Sequence, residues 1–277
     1  MSTWLRLGRV SNLPTVISNA LVGLLLMGAA PSPAWALVFA AMSCFYVGGM
    51  FLNDAFDHRW DARFAPSRPI PRGEVGARSV YVAGAATLLL GVVLLVSSTS
   101  RLEGALLGGC ALSALIVLYD AWHKGNPLSP LLMGACRVMV VLAAALSVSG
   151  ALPASVWMAA LALCAHLIGL TYAAKQEHLR THWWPLVFLL APLLWGAWLG
   201  VHALGVWPYW LALAIADGLA LRKLFRREVP RAVALFIASI SLVDAMALAA
   251  HGHARVALAC AVCFAATLQL QGWVRGT

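Results

Sequence analysis

Ten apolar runs leave this chain little room for anything but membrane-spanning helices. They lie at about 12–30, 34–53, 77–98, 103–119, 129–149, 153–174, 184–203, 207–222, 231–250 and 254–273. A helix that crosses the hydrocarbon core needs roughly 20 residues. Pro, Gly or charge separates most of the runs. None alternates apolar with polar residues, as the strands of a membrane barrel would. The expected fold class is therefore all-α: a polytopic transmembrane helical bundle forming one domain over residues 1–277. Composition agrees, with 62% hydrophobic and 10% charged residues in 277. Soluble domains carry about 25% charged residues. A water-soluble enzyme, a disordered chain and a nucleic-acid-binding module are excluded, and membrane lipids become the expected surroundings.

Charge placement gives an orientation. With the N-terminus on the cytoplasmic side, 16 of the 19 basic residues fall on cytoplasmic segments. Arg101 and Arg255 fall outside, and Arg137 lies within a span. Such a bias sets topology. It places both termini in the cytoplasm and the protein in an inner or plasma membrane. Arg6 and Arg9 precede the first run as in a signal peptide, but no cleavage pattern follows, so the run is expected to be the first span. The six cysteines all lie within apolar runs and are expected to be free thiols.

The chemistry gathers after the second run. Asn53, Asp57 and Asp61 are spaced i, i+4, i+8 on one helical face, with Asp54 beside it. Three stacked carboxylates repel one another unless a cation neutralises them. Oxygen ligands suit a hard ion such as Mg²⁺, which bridges to phosphate oxygens. The bland reading is a solvated, charge-balanced helix end. The stretch Pro66-Ser67-Arg68-Pro69-Ile70-Pro71-Arg72-Gly73 then forbids a regular helix and holds Arg68 and Arg72 near the acidic face. Carboxylates for a metal beside paired guanidiniums match the needs of a diphosphate. Arg72 alone reads equally as a topology marker.

The run Asn53-Asp54-x-x-Asp57-x-x-x-Asp61, followed by Arg68-Pro69-Ile70-Pro71-x-Gly73, resembles the first aspartate-rich motif of the UbiA superfamily of intramembrane prenyltransferases. The resemblance covers about residues 5–250. It implies nine family helices around a central cavity opening near the cytoplasmic side, with the run at 254–273 as a tenth span. It further implies an isoprenyl diphosphate held through Mg²⁺ on Asn53, Asp54, Asp57 and Asp61, ionised to an allylic cation and captured by an acceptor.

Two further regions follow from the same resemblance. In Leu118-Tyr119-Asp120-Ala121-Trp122-His123-Lys124, Tyr119 and Lys124 stand where the family carries a Tyr and a diphosphate-binding Lys, one residue further apart than usual. The second acidic motif departs from the family pattern. Thr171-Tyr172-Ala173-Ala174-Lys175-Gln176-Glu177-His178 holds the single carboxylate Glu177 where the family has two or three aspartates. Gln176 adds one neutral oxygen, and Lys175 can offset diphosphate charge. The stretch from Tyr119 to Lys124 and the run Pro127-Leu128-Ser129-Pro130-Leu131-Leu132-Met133-Gly134-Ala135-Cys136-Arg137 resemble the EboC-like branch of the superfamily.

Within the spans, Arg137 is costly, at about 2.5–3.5 kcal/mol on insertion scales. It reads either as a substrate-binding group or as half of an internal pair with Glu177 or another acid. Asn12 and Asn19 are expected to line the cavity, His166 to be a satisfied core group, and Asp217, with Arg222 about one turn on, to be a structural hydrogen-bonder.

The expected function is Mg²⁺-dependent transfer of an isoprenyl group to a small-molecule acceptor. Asp57, Asp61 and Lys124 are the candidate catalytic residues. Arg68, Arg72, Tyr119, Lys124, Lys175, Gln176, Glu177, Arg137 and Asn12 are the candidate substrate-binding residues. The rivals are a prenyl-diphosphate or lipid carrier that has lost catalysis, and an intramembrane terpene cyclase.

Overall fold

A computed structural model describes residues 2–175 and 183–274. Among these residues the chain is helical without strands. A short helix α1 (Thr3–Leu7) precedes a 3-10 turn at Val10–Asn12 and helix α2 (Leu13–Leu26). Then follow α3 (Trp35–Phe64), α4 (Ala77–Ser97), α5 (Leu102–Trp122), α6 (Ser129–Leu146) and α7 (Ala154–Lys175). The second half holds α8 (Leu190–His202), α9 (Trp207–Phe225), α10 (Val229–Ala250) and α11 (Ala254–Trp273). Nine described segments are long and apolar enough to cross a membrane, and the shorter apolar segment Val10–Leu26 occupies the place of the first expected span. The chain is an integral membrane protein.

Pro sits in the first turn of α2, α6, α9 and α10, where its missing N–H costs no intrahelical bond. Pro185 likewise opens the 3-10 segment Trp184–Leu189 that leads into α8. The apolar run of α3 ends near residue 53, and the i, i+4, i+8 spacing of Asn53, Asp57 and Asp61 carries the expected helix on to Asp61. The helix does continue, to Phe64 over 30 residues, and so shortens the connection of about 24 residues expected after the apolar run. No Pro or Gly lies between Asn53 and Phe64 to stop it. At 1.5 Å per residue it measures about 45 Å, against a core of about 30 Å, so its acidic last turns extend beyond the hydrocarbon.

Two apolar clusters flank a central space. One joins α3, α4 and α5 to α2 and α6 through Met42, Phe45, Leu88 and Leu112. The other joins α7 to α11 to the opposite faces of α2 and α6 through Leu163, Phe236 and Met246. Helix α3 is fixed against α4 by glycine. A Cβ on Gly84 would stand 2.8 Å from Leu52 Cγ and 3.1 Å from the Gly48 carbonyl, closer than packed atoms allow. The acidic helix is thereby held at backbone-to-backbone range. Helix α11 lies along α10 and α2. Gln271 Nε2 donates to Asn12 Oδ1 at 2.9 Å, so the two ends of the described chain meet on one face of the bundle.

Candidate active site

The end of α3 presents Asn53, Asp54, Asp57 and Asp61, all buried. Buried carboxylates need partners, and each Asp here has a cation. Arg68 Nη1 donates to Asp61 Oδ2 at 2.8 Å and to Asp54 Oδ1 at 3.4 Å. Arg9 Nη2 donates to the same Asp54 oxygen at 3.2 Å. Lys124 Nζ lies 2.9 Å from Asp57 Oδ2, with His123 Nε2 at 3.3 Å from that atom. Asn53 Nδ2 donates to Asp120 Oδ1 at 3.1 Å. The other Asp120 oxygen is buried with no hydrogen-bond partner.

Local structure explains these positions. The loop 65–76 folds on itself: Arg72 N–H donates to the Arg68 carbonyl at 3.1 Å, and Glu74 N–H to the Pro69 carbonyl at 3.0 Å. Gly73 takes a left-handed φ of 74° that only glycine adopts cheaply. Glu74 then accepts from Thr3 Oγ1 at 2.9 Å and pairs with Arg6, tying the loop to α1. Arg9 holds a left-handed φ of 43° between α1 and the 3-10 turn. That conformation costs a side-chain-bearing residue about 1–2 kcal/mol, and it aims the guanidinium at Asp54. Burial disfavours the Arg9 charge. Burial is the largest single influence, but Asp54, Tyr46, Tyr119 and Asp120 together outweigh it, and the pKa lies above the ordinary arginine value.

Behind the cluster lies a cavity of about 290 Å³. Its polar lining includes Arg9, Asn12, Tyr46, Tyr119, Asp120 and Arg137. The remaining wall is mostly apolar, from Phe45 and Leu112 on one side to Leu170 and Ile237 on the other. Asp54, Asp57 and Asp61 stand outside this wall, so the cavity starts where the Asn53–Asp120 bond ends the acidic face. A second depression of about 420 Å³, lined by Leu26, Met27, Ser149, Ala151, Leu152 and Pro153, contains no charged group.

The structure thus brings Asn53, Asp54, Asp57, Asp61, Arg68, Tyr119 and Lys124 together. Tyr119 stacks on His123 with ring centroids 4.9 Å apart, and Lys124 sits 5.4 Å from the centre of the Trp60 ring. Arg72 does not join them and instead lies 3.5 Å from Glu74. Lys175 also stands apart. It donates to Ser129 Oγ at 2.8 Å and lies over the Tyr172 ring. Gln176 and Glu177 lie outside the described residues. Asn19 does not line the cavity but bridges Arg137 and Asp244. Asp217 lies 3.8 Å from His166 Nδ1, deep in the bundle. Sequence reasoning assigned no role to Arg9, His123, Asp120 or Glu74. Asp120 carried a usable signal, one turn before Lys124 at a helix end. Arg9 carried none beyond its charge.

Among the described residues, no three His, Cys, Asp or Glu side chains converge as a ready metal cage. The donor chemistry nonetheless fits Mg²⁺. Carboxylate and amide oxygens are hard ligands, and one Asp120 oxygen lies unpartnered beside them. Four carboxylates face three permanent cations: Arg9, Arg68 and Lys124. A divalent metal on the carboxylates would release those cations to an incoming polyanion with the local charge kept near balance.

Fold and site together define an all-helical membrane protein with a charge-compensated acidic cluster above an internal cavity. A profile of the UbiA prenyltransferase family matches residues 16–243, and the chain belongs to that family. It is 32% identical over 177 residues to a digeranylgeranylglyceryl phosphate synthase of Methanopyrus kandleri, covering 61% of each chain. It is 32% identical over 130 residues to the synthase of the same name from Methanothrix thermoacetophila, covering 46% of this chain and 47% of that one. The match thus spans about half to three fifths of these curated relatives' length. Among solved structures, a digeranylgeranylglyceryl phosphate synthase superposes with a TM-score of 0.62 at 19% identity, over 90% of this chain and 97% of that one. A UbiA homologue from Archaeoglobus fulgidus, bound to DMAPP and Mg²⁺, gives 0.61 at 16% identity, over 88% and 99%. At these identities the two structures establish the shared fold.

Proposed function

We propose that this protein is a membrane-embedded prenyltransferase. It breaks the C1–O bond of an isoprenyl diphosphate at the acidic cluster and joins C1 to an acceptor bound in the cavity. The bonding pair leaves with the diphosphate, the acceptor's nucleophilic atom supplies the new pair, and the acceptor releases a proton. One observation carries this reading: buried carboxylates, each paired to a cation, stand beside an apolar cavity that Arg9 and Asp120 border.

Asn53, Asp54, Asp57 and Asp61, with Asp120 beside them, are the residues that would hold Mg²⁺. When bound, that ion supplies positive charge to the diphosphate oxygens and so stabilises the leaving group. Arg68, Lys124 and Arg9 then turn from their carboxylates to the diphosphate. Charge-assisted bonds to an anion that gains charge as it departs favour the transition state over the ground state. The apolar wall encloses the prenyl tail and keeps water from the allylic cation. Tyr119 borders the cavity and stacks on His123, which meets Asp57, so its ring lies between the acidic cluster and the apolar wall.

Family membership and the names of the relatives support a lipid-linked prenyl substrate, and a glyceryl phosphate is one acceptor class to test. The end of the bundle that carries the site is taken to face the cytoplasm of an inner or plasma membrane, on the basis of the basic residues gathered there.

Diphosphate release tests the proposal. Purified protein in nanodiscs receives Mg²⁺ and C10 to C20 allylic diphosphates, with and without an extract of small-molecule acceptors. Release that requires Mg²⁺, requires the extract and disappears in Asp57→Asn is expected. Release without any acceptor would indicate a cyclase. Saturable binding without release would indicate a carrier, the reading that the single carboxylate of the second motif favours.

A further inference from the structure

Two segments far apart in the chain carry the guanidiniums that reach Asp54. Arg9 follows α1, and Arg68 lies in the loop 65–76. Their Nη atoms converge on one carboxylate oxygen, Asp54 Oδ1, at 3.2 and 3.4 Å. A ligand held by both arginines must draw both away from that oxygen. Asp54 then no longer holds the two segments together.

Glu74 supplies a second link. Its Oε2 accepts from Thr3 Oγ1 at 2.9 Å and pairs with the Arg6 guanidinium. Both hydrogen bonds that α1 side chains make among the described residues end on this oxygen. Backbone bonds lead from here to each arginine. On one side the Arg6 carbonyl accepts from Arg9 N–H at 3.1 Å. On the other, Glu74 N–H donates to the Pro69 carbonyl at 3.0 Å, and Pro69 follows Arg68 directly. The contacts close a circuit that runs from Asp54 through Arg9, Arg6, Glu74 and Pro69 to Arg68 and back to Asp54.

Stability does not account for this link. The Arg6 and Glu74 side chains are 35% and 23% exposed, and exposed ion pairs add little to folding. Apolar packing already seats the two segments: Ile70 and Val75 of the loop pack against a cluster of Leu7, Phe51, Ala55 and Val80. Apolar contact is non-directional. A carboxylate held by two donors, one of them charged, fixes orientation.

We propose that Glu74 is a positioning residue for diphosphate recognition. It ties α1 to the loop, so that Arg9 and Arg68 stay side by side when they turn from Asp54 and take the two phosphoryl groups of one ligand. Glu74 acts through the arginines and touches no ligand itself. The inference rests on the prenyl-diphosphate reading of the site.

Calorimetry on the protein in nanodiscs with Mg²⁺ tests this. The probes are the unreactive geranyl S-thiolodiphosphate and geranyl monophosphate. Glu74→Ala is expected to weaken the thiolodiphosphate about tenfold. It should leave the monophosphate within about twofold, because one phosphate needs only one arginine. Arg6→Ala is expected to do the same, and the double variant to lose no more than either alone, as two partners in one link should. Equal weakening of both probes would make Glu74 merely structural, and an unchanged diphosphate affinity would remove it from the site; either result overturns the proposal. Hydrogen exchange without ligand reads the tie by itself. Glu74→Ala is expected to speed exchange in residues 3–12 and 68–76 together, and unchanged exchange in either segment would refute the tie. Failure of wild type to bind the thiolodiphosphate at all would overturn the prenyl-diphosphate reading and the positioning role with it, even where exchange upholds the tie.

Discussion

The Lys124 ammonium lies 2.9 Å from a carboxylate oxygen of Asp57, joining the segment after α5 to the acidic face of α3. Each group occupies the place that a ligand would claim from the other. The Lys124 side chain is 40% exposed, so the pair adds no more than about 1 kcal/mol to folding. Its value lies in turnover. Lys124→Met is expected to slow diphosphate release by about 10²–10³-fold, with little change in thermal unfolding. A large loss of stability with normal turnover would make the pair structural.

Arg68 and Arg72 sit in one loop and offer a matched comparison. Arg68 contacts Asp61 and Asp54, whereas Arg72 faces Glu74. Arg68→Ala is expected to raise KM for geranyl diphosphate about tenfold or more. Arg72→Ala is expected to stay within about twofold, as exposed ion pairs do. Steady-state kinetics on both variants decide between them, and equal effects would mean that the loop acts as a diffuse positive field.

Asp244 is 3% exposed and is the nearest negative charge to Arg137 through Asn19. Removing one member of a buried charged network costs about 3–5 kcal/mol. Asp244→Ala is therefore expected to lower the unfolding temperature in detergent markedly. An unchanged temperature would show that Thr15 and Asn19 suffice for Arg137.

Glycine packing makes a prediction far from any charge. Gly84→Ala places a methyl group 2.8 Å from Leu52 Cγ and is expected to cost about 1–3 kcal/mol. It also shifts the acidic helix and should lower kcat. Gly218→Ala is the control: nothing lies within 4 Å of its Cβ, and added helix propensity should leave stability equal or slightly higher. Identical behaviour of the two variants would sink the argument.

Span number and helix type were legible in the sequence, because apolar length is a direct physical requirement of the bilayer. The face shared by Asn53, Asp57 and Asp61 was equally legible from helical period. That same spacing carried α3 through Asp61, and the helix runs only three residues further, to Phe64. Arg9 was hidden because its role depends on a left-handed backbone turn and on a contact 45 residues away. Arg137 was read as costly and as either a substrate-binding group or half of an internal pair, but its partners Thr15 and Asn19 could not be named. Its setting depends on how α2, α6 and α10 converge, which periodicity does not encode. The UbiA resemblance of the acidic motif was borne out by the family match, and it located the cluster before any contact was known.

The bond between Gln271 and Asn12 links residues 259 positions apart, one of which lines the cavity. A ribosome adding about 5–20 residues per second needs on the order of tens of seconds to cover that interval. The last lining residue of the chamber, Ile240, lies on α10, so its walls are all made before α11 follows. What α11 adds is a clasp from outside: Gln271 takes hold of the Asn12 amide, a lining group, from behind.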